Sequence, residues 1–159
     1  MKPQDIAFAG CLLLTTTATA NAQLSGITGT RTIADYPAHA TRVQSKDAQA
    51  FHDLARDIVL SASTSAAVAI EIIGHADFDA RGRAFEIQVS NQRAENAAKI
   101  LRFHIETEIR NAQIPVAVGA RIYISHKGIG TQRPIFNPPR NEDERRANRR
   151  VDFVHTITP

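Results

Sequence analysis

Two side chains of opposite charge define the chemistry open to this sequence: the carboxylate of Asp77, just past a strand-like run, and the guanidinium of Arg93, near the start of a helical one. A carboxylate answers an ammonium, and a planar guanidinium chelates a carboxylate through two parallel hydrogen bonds. The pair therefore suits a zwitterion that carries both groups on one carbon. Strand ends and helix starts are common places for ligand-binding groups, and helix N-terminal amides beside Arg93 would favour the same carboxylate. The plainer alternative is that Asp77 caps a turn and Arg93 pairs with a neighbour on a solvated helix face.

A second constellation overlaps the first. His75, Asp77 and Asp79 form a His-x-Asp-x-Asp triplet that a hydrolase could use to hold Zn²⁺ or Mn²⁺ and activate water, since alternate residues of a strand share one side. The strand run ends at Gly74, however, and His52, His104, His126 and His155 are scattered, so no second ligand cluster completes the site. His75 itself, one residue past a strand end, is expected to be a hydrogen-bonded, partly buried residue. The sequence has no Gly-Lys-Ser/Thr phosphate loop, no nucleophile elbow, and one cysteine, Cys11. A binding module without metal or cofactor is expected, and not an enzyme.

The elements that must position these groups follow from periodicity. Ala48, Phe51, Leu54, Ala55, Ile58 and Val59 recur at helical spacing, with Ser45 as a candidate N-cap and Ser61 to Ser65 as the break. The run Ala67 to Ile73 is a strand with Val68, Ile70 and Ile72 on one face and Glu71 on the other. From Glu86 to about Asn111 runs the longest helical pattern, with Ala94, Ala97, Ala98, Leu101, Ile105 and Ile109 as its apolar stripe. Pro115 closes it off. Arg121 to His126 and Val151 to His155 read as further strands, and a short helix over Glu142 to Asn148 would feed the last one. The result is an α+β chain, in the order β-α-β-α-β-β, with helices on one face of a mixed sheet.

At 159 residues the chain is one domain's worth. Residues 1–22 read as an export signal: Lys2, an apolar run from Ile6 to Leu14, and a small-x-small cleavage site at Ala20-Asn21-Ala22. Cys11, preceded by Phe8-Ala9-Gly10, gives a faint alternative in which the chain is lipidated. Residues 23–35 are expected as a flexible lead with room for one strand, and residues 36–159 as the domain. No stretch of the mature chain is long and apolar enough for a membrane helix. The 19 Lys and Arg against 16 Asp and Glu give a formal charge of +3, a mild bias toward anionic partners. The basic residues of 140–150 are interrupted by Glu142, Asp143 and Glu144, a pattern of internal pairing that argues against nucleic acid.

Four motifs in register, Gly74-His75-Ala76-Asp77, Val89-Ser90-x-x-Arg93-Ala94, Gly128-x-Gly130 with Pro134, and Asn148-Arg149-Arg150-Val151, resemble the OmpA-like peptidoglycan-binding domain family over roughly residues 36 to 155. That resemblance implies a periplasmic module, outer-membrane associated or not, of the Gram-negative envelope. It would bind peptidoglycan noncovalently through the diaminopimelate of the stem peptide, tether it, and engage further envelope proteins. It also implies that Asp77 takes the ammonium and Arg93 the carboxylate, with Glu86, Arg149 and Arg150 as further candidates. Glu86 stands where the family usually has Asn; its added charge would either weaken the carboxylate's seat or supply an acceptor for the ammonium. Val89 replaces the usual Leu, and Tyr36-Pro-Ala-His-Ala40 matches the family's first-strand motif poorly. These departures leave room for a module that keeps the fold and binds a protein instead. Arg93→Lys would keep the charge, lose the planar fork and be expected to leave the fold intact.

Overall fold

The computed structural model describes residues 27–64 and 67–158; the expected signal segment and Cys11 lie outside the described residues. The elements are β1 (Ile27–Ile33), α1 (Ala48–Thr64), β2 (Ala67–Gly74), α2 (Arg83–Asn111), β3 (Ile122–Gly128), α3 (Glu142–Asn148) and β4 (Val151–Thr158), with short 3₁₀ turns at Ser45–Asp47 and Val116–Arg121. The strands form one sheet in the order β1-β4-β2-β3. β2 and β3 are parallel and the other pairs antiparallel, which makes the sheet mixed, as expected.

Alternation sets the layers. Val68, Ile70 and Ile72 of β2 are buried beneath the helices with Phe153 of β4, while Ala69 on the opposite face is exposed. The stripe Ala94, Ala97, Ala98, Leu101 and Ile105 buries one side of α2, and Phe51, Leu54, Ala55, Ile58 and Val59 bury one side of α1. Phe51 meets Phe153 edge-on with centroids 5.5 Å apart, joining α1 to the sheet.

Residues 27–33, in the lead that has room for one strand, form it as edge strand β1 along Val151–Ile157 of β4, where β-branched Ile and Thr suit an extended pair and Ile33 is buried. Two expectations change. Helix α1 continues through the serine-rich break to Thr64, because the hydroxyls of Ser61 and Ser63 fold back onto the Asp57 and Val59 carbonyls at 2.8 Å and do not compete for the helix. Ser45 is not a cap: the helical turn begins there, and Gln44 precedes it without a side-chain cap bond.

The contact that places the site is between α2 and the ends of β2 and β3. Gly74 and Gly128 are register partners. A Cβ on Gly74 would lie 1.9 Å from the Ser90 carbonyl oxygen, and one on Gly128 would lie 2.2 Å from the Asn91 amide nitrogen. The helix backbone therefore rests directly on the strand ends. Ser90 Oγ accepts from the Gly130 amide at 2.9 Å and Asn91 Oδ1 from the Gly128 amide at 3.0 Å, which locks the register. Gly74→Ala is expected to destabilise the protein by about 3 kcal/mol or more, since backbone must move to admit the methyl group; urea denaturation measures it.

Candidate functional site

Past the end of β2 the chain stays extended, because the His75 amide donates to the Arg150 carbonyl and the Ala76 amide to the Gly130 carbonyl, each at 2.9 Å. This delivers Asp77 to the wall of a cavity of about 210 Å³ lined also by Glu86, Arg93, Arg145 and Arg149, with His39 and Phe85 at its side. The cavity is smaller than the roughly 300–1,000 Å³ that holds a drug-sized ligand, so it suits a head group whose remainder stays outside. A larger groove of about 810 Å³ lies between the C-terminal half of α2 and β3. Its walls are mainly Ile105, Ile109, Ile114, Ile122 and Ile124, which give apolar contact but no buried charge, whereas the smaller one is lined by buried charged groups.

Arg93 is 1% exposed. Its Nε donates to the Ala40 carbonyl at 2.7 Å and its Nη1 to the His75 carbonyl at 2.8 Å, so the side chain pins the 36–41 loop to the end of β2. The Tyr36 ring lies 5.2 Å from its Cζ. Among the described carboxylates none forms an ion pair with it. Burial lowers its pKa to about 10; Tyr36 and Asp77 oppose that shift and the neighbouring Arg149 adds to it, so the group remains a cation at neutral pH. The same burial raises Tyr36 to about 12. Two expectations about Arg93 need correction. Helix α2 begins at Arg83, which puts Arg93 in the third turn, about 15 Å along the axis and out of reach of the N-terminal amides. Arg93→Lys is expected to cost stability as well, because one ammonium nitrogen would replace the two, Nε and Nη1, that hold the Ala40 and His75 carbonyls.

Asp77 is buried but not unpaired. Its Oδ2 accepts from Arg145 Nη1 at 2.9 Å and its Oδ1 from Asn148 Nδ2 at 3.2 Å. Asn148 in turn accepts from the Ile135 and Phe136 amides, tying the proline-rich loop to α3. Glu86, 4% exposed, accepts from the Asp79 amide and from Thr131 Oγ1, both at 2.9 Å, and has no cation partner among the described residues. Arg149 lines the cavity, donates Nε to the Tyr36 carbonyl at 2.7 Å and pairs with Glu142. Arg150 points away, to Asp152 at 3.2 Å and the Arg133 carbonyl at 3.1 Å. The cavity thus gathers Asp77, Glu86, Arg93 and Arg149 and leaves out Arg150.

The His-x-Asp-x-Asp triplet does not converge. His75, only 2% exposed, sets Nε2 2.8 Å from Asp152 Oδ2, close enough for an ion pair though not aligned as a hydrogen bond; Asp77 faces Arg145 and Asp79 faces Arg81. No group of three metal-ligating side chains comes together among the described residues. Sequence reasoning missed Arg145 and His39. Arg145 was legible only as one of several basic residues on a short helix. His39 lies within the poorly matched Tyr36–Ala40 segment, holds Asp79 Oδ2 at 2.8 Å and stands edge-on to Phe85.

No protein-family model matches the sequence, and no curated protein does. Solved structures do match the fold. The peptidoglycan-associated lipoprotein from Burkholderia pseudomallei is similar at 19% identity and a TM-score of 0.58, covering 79% of this chain and 89% of that one. The periplasmic domain of Helicobacter pylori MotB is similar at 18% identity and 0.58, over 81% and 75%. The cell wall anchor of the T6SS from Pseudomonas aeruginosa gives 16% and 0.52, over 83% and 82%. The chain has the OmpA-like fold. Within it, the four motifs of the sequence sit together at one end of the sheet: Gly74 and Gly128 let the strand ends meet the α2 backbone at Ser90 and Asn91, and Asp77, Arg93 and Arg149 line the cavity.

The support behind this cavity has a pH signature. Burial alone would raise the pKa of Asp152, but His75, Thr32 and Arg150 outweigh it and hold the carboxyl below its ordinary value. A depressed carboxyl contributes stability that is fully present above its unfolded value, about 3.9, and is lost as pH falls through the lower folded value. Asp152→Asn is expected to lower stability at pH 7 and to flatten its decline below about pH 4, as followed by urea midpoints across pH.

Proposed function

We propose that this chain binds peptidoglycan noncovalently in the periplasm, through the free head group of diaminopimelate in the stem peptide, and acts as a tether. One observation carries the reading: Arg93 is a fully buried cation in a cavity wall with no carboxylate partner among the described residues. Burying a charge without its counter-ion costs several kcal/mol, and two carbonyl bonds with an aromatic face offset only part of it. A ligand carboxylate supplies what is missing. The lining also holds the carboxylates Asp77 and Glu86, one of which would seat the ammonium of the same head group, and Arg149 adds a second cation near Arg93. The size of the cavity agrees with a head group entering from a larger polymer.

The fold adds general support, since solved proteins of this shape include a peptidoglycan-associated lipoprotein and a cell wall anchor. Nothing in the cavity pairs a nucleophile with a base, and tethering needs no reaction. The reading includes a place in the cell envelope, with or without outer-membrane association; envelope proteins are further candidate partners.

The test is co-sedimentation of the purified protein with diaminopimelate-type sacculi. The parent is expected to pellet, and Arg93→Lys to pellet at least tenfold less at a temperature where a melting curve shows it folded. Absence of pelleting by the parent would mean that the fold serves a protein partner. Full retention by Arg93→Lys would remove the assigned role of the guanidinium.

A further inference from the structure

Four carboxylates line the cavity, Asp77, Asp79, Glu86 and Glu142, and their partners differ. Asp77 already has a cation: Arg145 Nη1 at 2.9 Å, with Asn148 on its other oxygen. Asp79 is similarly taken, by three bonds from Arg81 and one contact with His39, and Glu142 is taken by Arg149 and Arg146. Glu86 is the exception. Its side-chain oxygens meet only neutral donors, the Asp79 amide and the Thr131 hydroxyl, and each oxygen has a lone pair to spare. The cavity therefore holds one buried cation and one buried anion that no described side chain neutralises, Arg93 and Glu86.

Both lie on α2, seven residues apart, which puts them on one face of the helix with about 10.5 Å between their Cα atoms. Two long side chains and a head group between them can span that distance. A ligand ammonium at Glu86 keeps every existing ion pair. At Asp77 it would meet a carboxylate already neutralised by Arg145 and would lie against that guanidinium's positive charge.

We infer that Glu86 is the specificity-determining acceptor for the ligand's ammonium, while Asp77, neutralised by Arg145, positions α3 and the proline-rich loop through Asn148. The inference rests on the reading above that the ligand is a zwitterionic head group with its carboxylate at Arg93. It differs from what the family resemblance implies, in which Asp77 takes the ammonium and the position of Glu86 is an amide.

Calorimetry separates the two. The probes are a stem tripeptide ending in diaminopimelate and its analogue ending in 2-aminopimelate, which keeps the terminal carboxylate and lacks the terminal ammonium. The parent is expected to prefer the first by about tenfold or more, the worth of one charge-assisted hydrogen bond. Glu86→Gln, which keeps the shape of the side chain, should lose that preference while still binding the analogue as the parent does. Glu86→Asp should retain part of it, whereas misfolding would remove binding of both probes. Asp77→Asn combined with Arg145→Gln, which removes both charges of that pair, should keep the preference. Loss in this paired variant but not in Glu86→Gln, equal loss in both, or loss in neither would overturn the assignment to Glu86 and leave the peptidoglycan reading standing; failure of the parent to bind either probe would overturn that reading and the inference together.

Discussion

The backbone of α2 lies against Gly74 and Gly128 with no room for a side chain at either position, and the geometry of the cavity depends on that approach. Once Ser90 and Asn91 are fixed to the Gly128–Gly130 turn, the height and rotation of the helix are fixed too. Arg93, three residues past Ser90, is then brought level with the His75 carbonyl. A slip of one residue would turn each side chain by about 100° and carry the guanidinium out of the cavity. The sheet end and the helix face are therefore one device: glycines provide contact, and contact provides register.

Electrostatics around the cavity follow a simple division. Charges nearer the surface find partners within the chain, as Asp79 with Arg81 and Glu142 with Arg149 do, and such pairs add little stability while they stiffen the rim. Charges that face inward from α2 are treated differently. Arg93 meets two carbonyls and a Tyr36 ring, and Glu86 meets an amide and a hydroxyl, so each is solvated by dipoles without being neutralised. Dipolar solvation keeps a buried charge tolerable and leaves its field available to a ligand.

The sequence made the core elements legible because their periodicities are strong: β2 alternates, α2 carries an uninterrupted alanine and leucine stripe, and α3 is bounded by its Asn141 cap, which accepts from the Glu144 amide, and by the strand that follows. What could not be read depended on contacts between distant segments. That the first strand lies at the sheet edge beside β4, the last in the chain, is a long-range fact, and the Ser61–Thr64 stretch is helical because its hydroxyls turn back on the helix. At the site, the motif residues could be named, but their partners could not. That Asp77 would spend its charge on Arg145, 68 positions away, and that Arg150 would turn to Asp152 while Arg149 faced the cavity, are consequences of how α3 is docked.

In the proposed role Arg93 combines two tasks that usually conflict. As a staple it must be rigid and fully bonded; as a receptor it must keep something in reserve. The fork resolves this, since Nε and Nη1 hold the backbone carbonyls of Ala40 and His75 while no described partner takes Nη2. A lysine on the same backbone would have to choose, because its three donors share one nitrogen. The bonds that fix Arg93 also freeze its rotamer before a ligand arrives, so binding does not have to order a long side chain, which would otherwise cost about 0.5–1.5 kcal/mol. Arg145, with its side chain 43% exposed and one bond to Asp77, has no such preorganisation. Rigidity, more than charge alone, distinguishes the guanidinium that can serve as a seat from those that only balance the rim.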